Sequence, residues 1–357
     1  MLDQLTQQLN RAEDLEAAQI AGALTELMTE TVAVATKAEF LTALARKGET
    51  LAEIAAFATE LLNRSVPVPL DAETRAREIL DVCGTGGDHL GTFNISTTVA
   101  IVCAAAGVTV AKHGNRAVTS KTGSADVLES LGIRIDLSPT EAAAALRDHG
   151  FAFLFAPHYH PDFKHIIPIR KLCAAQGQRT IFNFLGPLLN PARPTAQLLG
   201  VPKPELCAPL ARALQLLGLR RAMVVSGAVP DPTAPTDDPE FGVRSLDEIS
   251  TLGLSTVAEF YQERAFTTSQ LDPAQFPLQP VAFTDLSGGD RDANAEIIRQ
   301  ILRGQDRGPR ADAVKLNAGA ALFVAGRARS ISDGWELTEA LIHDGRAWAK
   351  LEQLRSQ

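Results

Sequence analysis

The sequence predicts an α/β protein with a small all-α domain, built on a mostly parallel central sheet flanked by helices. Three observations carry that expectation. Residues 2–63 read as helical, with Leu, Ile, Ala, Phe and Met recurring at three- and four-residue spacing. From Glu78 onward, short apolar runs alternate with helical segments, the pattern of β-α-β units and of a parallel sheet covered on both faces. Two loops rich in glycine, hydroxyl and basic residues follow two of those runs, at the strand carboxyl ends where such sheets bind ligands.

Taken in order, Thr50 to Asn63 (TLAEIAAFATELLN) is the clearest amphipathic helix, with Thr50 as cap and Glu53 as its capping-box partner. Val66-Pro-Val-Pro is a stiff extended connector and a domain boundary. The spacing then predicts strands over Ile79–Cys83, Val108–Ala111, Ile133–Leu137 and Phe151–Ala156. Helices are expected over Thr97–Ala106, stopped by Gly107, and over Ser124–Leu131, stopped by Gly132. Ser138-Pro139-Thr140-Glu141 opens a further helix that stops at Gly150. Residues 161–194 are less regular. Met223–Val225 resumes the strand pattern, and Ala228–Gly242, with four prolines and four acids, reads as an exposed loop. Helices at Asn294–Leu302, Ala311–Val324 and Trp335–Leu354 finish the chain.

Composition sets limits. Hydrophobic content of 45% and charged content of 21% suit a globular chain with a large core. The net charge of −8 argues against a general nucleic-acid binder. Cys83, Cys103, Cys173 and Cys207 form no C-x-x-C pair, which fits a reducing compartment. The start, MLDQLTQQLNRAEDLE, lacks a signal-peptide pattern, and the longest apolar stretch, Thr97 to Ala111, is too short to span a bilayer. A cytoplasmic protein with no membrane partner is the expectation.

The first loop, Gly84-Thr-Gly86-Gly87, brings backbone N–H groups close to a ligand because no Cβ stands in the way. It is neither the dinucleotide fingerprint, since His89 stands at the third glycine position, nor a Walker A loop. A ligand-free tight turn explains the glycines alone equally well. Asn94, Ser96 and Thr97 open the next helix and can either cap it or hold phosphate oxygens. Lys112, His113, Asn115, Arg116, Ser120 and Lys121 follow the neighbouring strand and favour a ligand over a solvated charged loop. Asp247-Glu248, an adjacent acid pair, suits a magnesium ion beside phosphates. His158, His160 and His165 lack the paired carboxylate or thiolate of a zinc site, and no nucleophile motif is present.

Gly84-Thr-Gly-Gly-Asp88, Thr92-Phe-Asn-Ile-Ser-Thr97, Lys112-His-Gly-Asn-Arg116 and Gly123-Ser124 together resemble the signatures of the anthranilate phosphoribosyltransferase family. His160-Pro161, Lys164, Arg170, Phe182 to Pro191 and Leu246-Asp-Glu248 look like the same family, in its order along nearly the whole chain. The resemblance implies a fold related to pyrimidine nucleoside phosphorylases. In it, 1–66 plus about 162–190 form the small helical domain, and 75–161 plus about 191–357 form the α/β domain. It implies pairing of two copies through the helical domains. It also implies Mg2+-dependent transfer of phosphoribosyl from phosphoribosyl diphosphate to the amine of anthranilate, with no protein nucleophile. Gly84, Gly87, Asp88, Thr92, Asn94, Ser96, Thr97, Lys112, Ser120 and Ser124 are then assigned to the donor. Gly84, Asn115, His160, Arg170, Gly186 and Pro187 are assigned to the acceptor, and Ser96, Asp247 and Glu248 to the metal.

The chain departs from its relatives in three places. Ser226-Gly227 stands where the family has His-Gly, the 228–242 insertion follows, and Asp162-Phe163 replaces Ala-Met. These leave two competing readings: a paralogue with another aromatic or amine acceptor, and a non-catalytic nucleic-acid-binding relative.

Overall fold

The computed structural model describes residues 1–117, 121–230, 243–261 and 265–356. The N-terminal part is four helices, α1 (Leu2–Asn10), α2 (Ala17–Leu27), α3 (Val34–Lys47) and α4 (Leu51–Asn63). Thr50 caps α4 as expected: its hydroxyl accepts from Glu53 N–H at 3.3 Å and Glu53 accepts from Thr50 N–H at 2.8 Å. Glu53 is fully buried, and it also accepts from Leu15 N–H and pairs with Lys47, so one carboxylate ties α2 and α3 to α4.

After α5 (Ala72–Ala76) come β1 (Ile79–Gly84), α6 (Ile95–Ala105), β2 (Thr109–Gly114), α7 (Ser124–Leu131), α8 (Pro139–His149) and β3 (Phe151–Phe155). Then follow α9 (Ala156–Tyr159), α10 (Ile166–Ala175), β4 (Ala196–Gly200), α11 (Cys207–Leu216), β5 (Arg221–Pro230), β6 (Val243–Leu246), β7 (Ser255–Phe260) and β8 (Thr267–Leu271). Helices α12 (Arg291–Leu302), α13 (Pro309–Val324), α14 (Ile331–His343) and α15 (Arg346–Arg355) close the chain. The sheet runs β3-β2-β1-β4-β5-β7-β8, with β6 paired to β5. Strands β3, β2, β1, β4 and β5 are parallel, and β6, β7 and β8 are antiparallel additions.

The chain leaves β1 toward β2 and β3, then returns to place β4 on the other side of β1. That reversal opens a crevice at the carboxyl ends of β1 and β4, where open α/β sheets bind ligands. One sheet face packs with α6, α7 and α12 to α15 around Val99, Ile101, Leu316 and Trp335. The other face shares a core with α1 to α4, α10 and the 181–189 turns, through Phe40, Phe57, Ile169 and Val224. No helix among the described residues is long and apolar enough to cross a membrane.

Several expectations are corrected. Ile133–Leu137 is no strand. Ile133, Ile135 and Leu137 alternate inward with exposed neighbours, so the burial period is 2, but this extended connector has no ladder partner. Trp335–Leu354 is two helices, because Gly345 adopts φ +80° and ends the run. Residues 228–230 belong to β5, with Val229 buried, and the rest of the expected loop, 231–242, lies outside the described residues. Helix α6 begins at Ile95, two residues earlier than the apolar pattern indicated.

Candidate active site

The acid pair reaches the crevice through the β5–β6 arm. Leu246 pairs with Gly227, so the chain leaves β6 directly over the ends of β4 and β1. The approach leaves no room for side chains beneath it. A Cβ on Gly200 would lie 1.6 Å from Asp247 O, one on Gly227 2.6 Å from Glu248 O, and one on Gly84 2.7 Å from Asp247 Oδ2. Gly200 was not legible as a site residue, and Gly227 stood out only as part of a departure from the family.

Asp247 Oδ2 accepts from Gly86 N–H at 2.6 Å and from Thr85 Oγ1 at 3.4 Å, and Asp88 Oδ2 accepts from Asp247 N–H at 3.4 Å. Glu248 Oε1 accepts from Ser96 N–H at 3.0 Å, which ties the pair to the first turn of α6. Burial holds the Asp247 carboxyl well above the usual carboxylate range, with Asp88 and Glu248 adding repulsion. Burial likewise pushes Glu248 up to about 7, opposed by Lys112. Only 8% and 9% exposed, neither acid has an ion-pair partner within contact distance among the described residues. Hard carboxylate oxygens beside Ser96, with no ion pair in contact among the described residues, fit a divalent cation of the magnesium type. No group of three His, Cys, Asp or Glu side chains that could hold a metal ion is gathered among the described residues.

Lys112, on β2, is 1% exposed. Its Nζ donates to Val82 O at 2.5 Å and to Ser96 Oγ at 3.4 Å. It therefore lies under the first loop rather than in open solvent, and burial lowers its pKa. The Thr97 hydroxyl is buried without a hydrogen-bond partner, an orphan group at the helix start.

The two loops are joined by amides. Asn94 Nδ2 donates to Thr122 O at 3.3 Å, Asn294 Nδ2 donates to Asn94 Oδ1 at 2.9 Å, and Thr122 Oγ1 donates to Gly289 O at 3.0 Å. Thr92 bridges to Ser287, Gly87 lies against Pro202, and Ser124 Oγ donates to Asn115 O at 3.3 Å. Arg116 turns away to Asp126 and Glu129. Ser120 lies outside the described residues.

A second group lies between β2 and the 181–190 turns. His113, His160, Phe163 and Phe182 form a row with successive ring-centroid separations of 5.3, 5.4 and 5.9 Å. His160 Nε2 donates to Leu189 O at 2.9 Å, and Gln197 Nε2 donates to Pro187 O at 2.8 Å. A Cβ on Gly186 would meet open space. Burial, helped by His160, holds His113 down to about 3, so its ring is neutral, and its Nε2 has no hydrogen-bond partner. Arg170, on α10, is half-buried with no carboxylate partner among the described residues. Asp81 and Gln197 were missed by the sequence reading, since each lies inside an apolar run with no motif of its own, and Asn190 stood within the Phe182 to Pro191 motif without being given a role.

A glycine-walled phosphate cradle, a buried acid pair and a separate aromatic pocket define a glycosyl transferase of the two-domain kind. Family models agree: "Glycosyl transferase family, helical bundle domain" matches residues 3–65 and "Glycosyl transferase family, a/b domain" matches 76–348. An anthranilate phosphoribosyltransferase of Methanocorpusculum labreanum is 44% identical, over 96% of this chain and 93% of that protein. The one from Shewanella sp. strain ANA-3 is also 44% identical, over 90% and 86%. The crystal structure of the Thermus thermophilus enzyme superposes with a TM-score of 0.85 at 37% identity, covering 99% of this chain and 98% of that one. The Saccharomyces cerevisiae enzyme in complex with phosphoribosyl diphosphate and magnesium does so at 0.84 and 28% identity, covering 99% and 97%. The chain belongs to the anthranilate phosphoribosyltransferase family.

Proposed function

We propose that the protein transfers the phosphoribosyl group of phosphoribosyl diphosphate to the amine of anthranilate, giving N-(5-phosphoribosyl)anthranilate and diphosphate in tryptophan biosynthesis. The observation that carries the reading is the Asp247-Glu248 pair, buried with no ion-pair partner in contact among the described residues, over the glycine-walled end of β1 and β4.

In this reading Gly84, Gly87, Asp88, Thr92, Asn94, Ser96 and Thr97 hold the donor, with Ser120 and Ser124 from the second loop. Backbone N–H groups and the α6 N-terminus meet the phosphates. Lys112 supports the cradle from below through Ser96 and offsets Glu248. Asp247, Glu248 and Ser96 would hold Mg2+, which neutralises charge on the departing diphosphate when bound. Bond breaking at C1 leads bond making, so the ribosyl centre passes through an oxocarbenium-like state that calls for positioning more than a strong base. Asn115, His160, Arg170, Gly186 and Pro187 face the acceptor. Arg170 forks onto the anthranilate carboxylate, and the aromatic amine is already neutral at pH 7, so no strong base is called for. All four cysteines are free, which fits a cytoplasmic protein. Met1, Val34 and Ile167 are exposed apolar residues of the N-terminus, α3 and α10, which fits pairing of two copies through the helices.

The test is to mix purified protein with phosphoribosyl diphosphate and Mg2+ and follow the loss of anthranilate fluorescence. Donor binding without consumption of anthranilate would move the reading to another amine acceptor, and neither would end it.

A further inference from the structure

Asp81 is a fully buried acid in the middle of β1, outside the set of residues assigned to the donor, the acceptor or the metal. Burial pushes it up to about 6, so the fold bears a cost for it that an apolar residue would not impose. Its partners show what that cost secures. Asp81 Oδ2 accepts from Asn190 Nδ2 at 2.9 Å, and Oδ1 accepts from His113 N–H at 3.3 Å. Asn190 is 2% exposed; its Nδ2 also donates to Ala111 O at 2.7 Å, and its Oδ1 accepts from Ala192 N–H at 3.0 Å. One side of the carboxylate thus holds the backbone of His113, the first ring of the aromatic row. The other side holds the end of the Gly186–Asn190 turn. Three residues farther along, the same strand ends at Gly84, the start of the donor loop.

We propose that Asp81 and Asn190 are positioning residues that set the acceptor pocket at a fixed distance from the donor cradle, by hanging its two walls from the strand that carries the cradle. The Gln197–Pro187 bond at 2.8 Å and the His160–Leu189 bond at 2.9 Å complete the attachment of the turn. The proposal rests on the anthranilate reading for the identity of the acceptor. A displacement of about 1 Å between two reacting groups costs on the order of a hundredfold in rate, so a clamp between the sites matters more than either wall alone.

The test uses the full chain as wild type, Asn190→Ala and Asp81→Asn. Each substrate is varied in turn, donor affinity is measured by calorimetry with phosphoribosyl diphosphate and Mg2+, and folding is checked by thermal unfolding. Folded Asn190→Ala is expected to show an anthranilate KM raised about tenfold or more, with the donor dissociation constant within about twofold of wild type. Asp81→Asn keeps an oxygen for the Asn190 amide and gives a smaller split of the same sign, which serves if Asn190→Ala does not fold. Equal weakening toward both substrates, or an unchanged anthranilate KM in the folded variants, overturns the proposal. If wild type consumes no anthranilate, the functional reading falls by itself. Hydrogen exchange then decides the clamp: faster exchange at 186–190 with unchanged exchange at 84–88 supports it, and unchanged exchange at 186–190 ends it.

Discussion

The proposed donor end and the proposed acceptor end of this site are built on different principles. At the donor end, backbone does the work. Strand-end glycines admit Asp247 and Glu248, the Gly86 N–H of the 84–88 loop meets Asp247, and amides of Asn94 and Asn294 lock the loops together. At the acceptor end, side chains do it: a row of rings from His113 to Phe182 and a guanidinium at Arg170 with no carboxylate partner among the described residues. Backbone geometry tolerates almost no substitution, whereas a side-chain pocket can change its occupant one residue at a time. The departure at Phe163 falls on the acceptor side, and the donor side keeps every motif glycine.

The sharpest break in that comparison is Gly200→Ala. Its Cβ would collide with Asp247 O at 1.6 Å, so turnover should fall by roughly a hundredfold or more with either substrate saturating. Retained activity would show that the acid pair can stand off the sheet. Asp247→Asn with Glu248→Gln should cost on the order of a hundredfold in turnover at fixed Mg2+ while the melting temperature holds or rises, because two acids that burial penalises give way to neutral amides of the same shape. A matching collapse of folding would make the pair structural. Arg170→Lys should act on the acceptor alone, raising anthranilate KM by about ten- to a hundredfold and leaving the donor KM unchanged. Phe163→Ala removes ring contacts to His160 and Phe182, each worth about 0.5–1.5 kcal/mol, and should shift preference among ring-substituted anthranilates only a few-fold. Competition assays with paired acceptors measure it.

A separate comparison, of stability rather than of turnover, concerns acid. His113 is held down to about 3, below its unfolded value near 6.5, by burial. The unfolded chain therefore takes up a proton first. The stability this group contributes is full above about pH 6.5 and is lost at about 1.4 kcal/mol per pH unit as pH falls toward 3. Burial of His160 adds to the same slope. His113→Asn should flatten the curve between pH 6 and 4 in chemical denaturation, and an unchanged slope would place the titration elsewhere.

Much of this arrangement was legible from local chemistry. The Thr50–Glu53 and Ser138–Glu141 capping boxes, the β-α-β alternation and the first loop are properties of neighbouring residues, and each formed where the spacing indicated. Ile133–Leu137 misled because alternating burial reports only which side is covered, and a ladder partner is a long-range fact. The Trp335–Leu354 run misled because Gly345 inside a helical pattern does not announce whether it will bend or break.

By itself, the sequence determined the layers, the place of the glycine loop and the kinds of group available: short-range backbone preferences and periodicity specify those. Only the tertiary structure decided what those groups meet. It took the β5–β6 arm to drop Asp247 and Glu248 onto Gly200 and Gly84, which lie 47 and 163 positions back from Asp247 along the chain. It took strand order to set Asp81 between His113 and Asn190, and burial to turn an ordinary Asp, Lys and His into groups with displaced pKa values. Pairing across a sheet and exclusion of water are collective properties of the folded chain, and no local window of residues contains them.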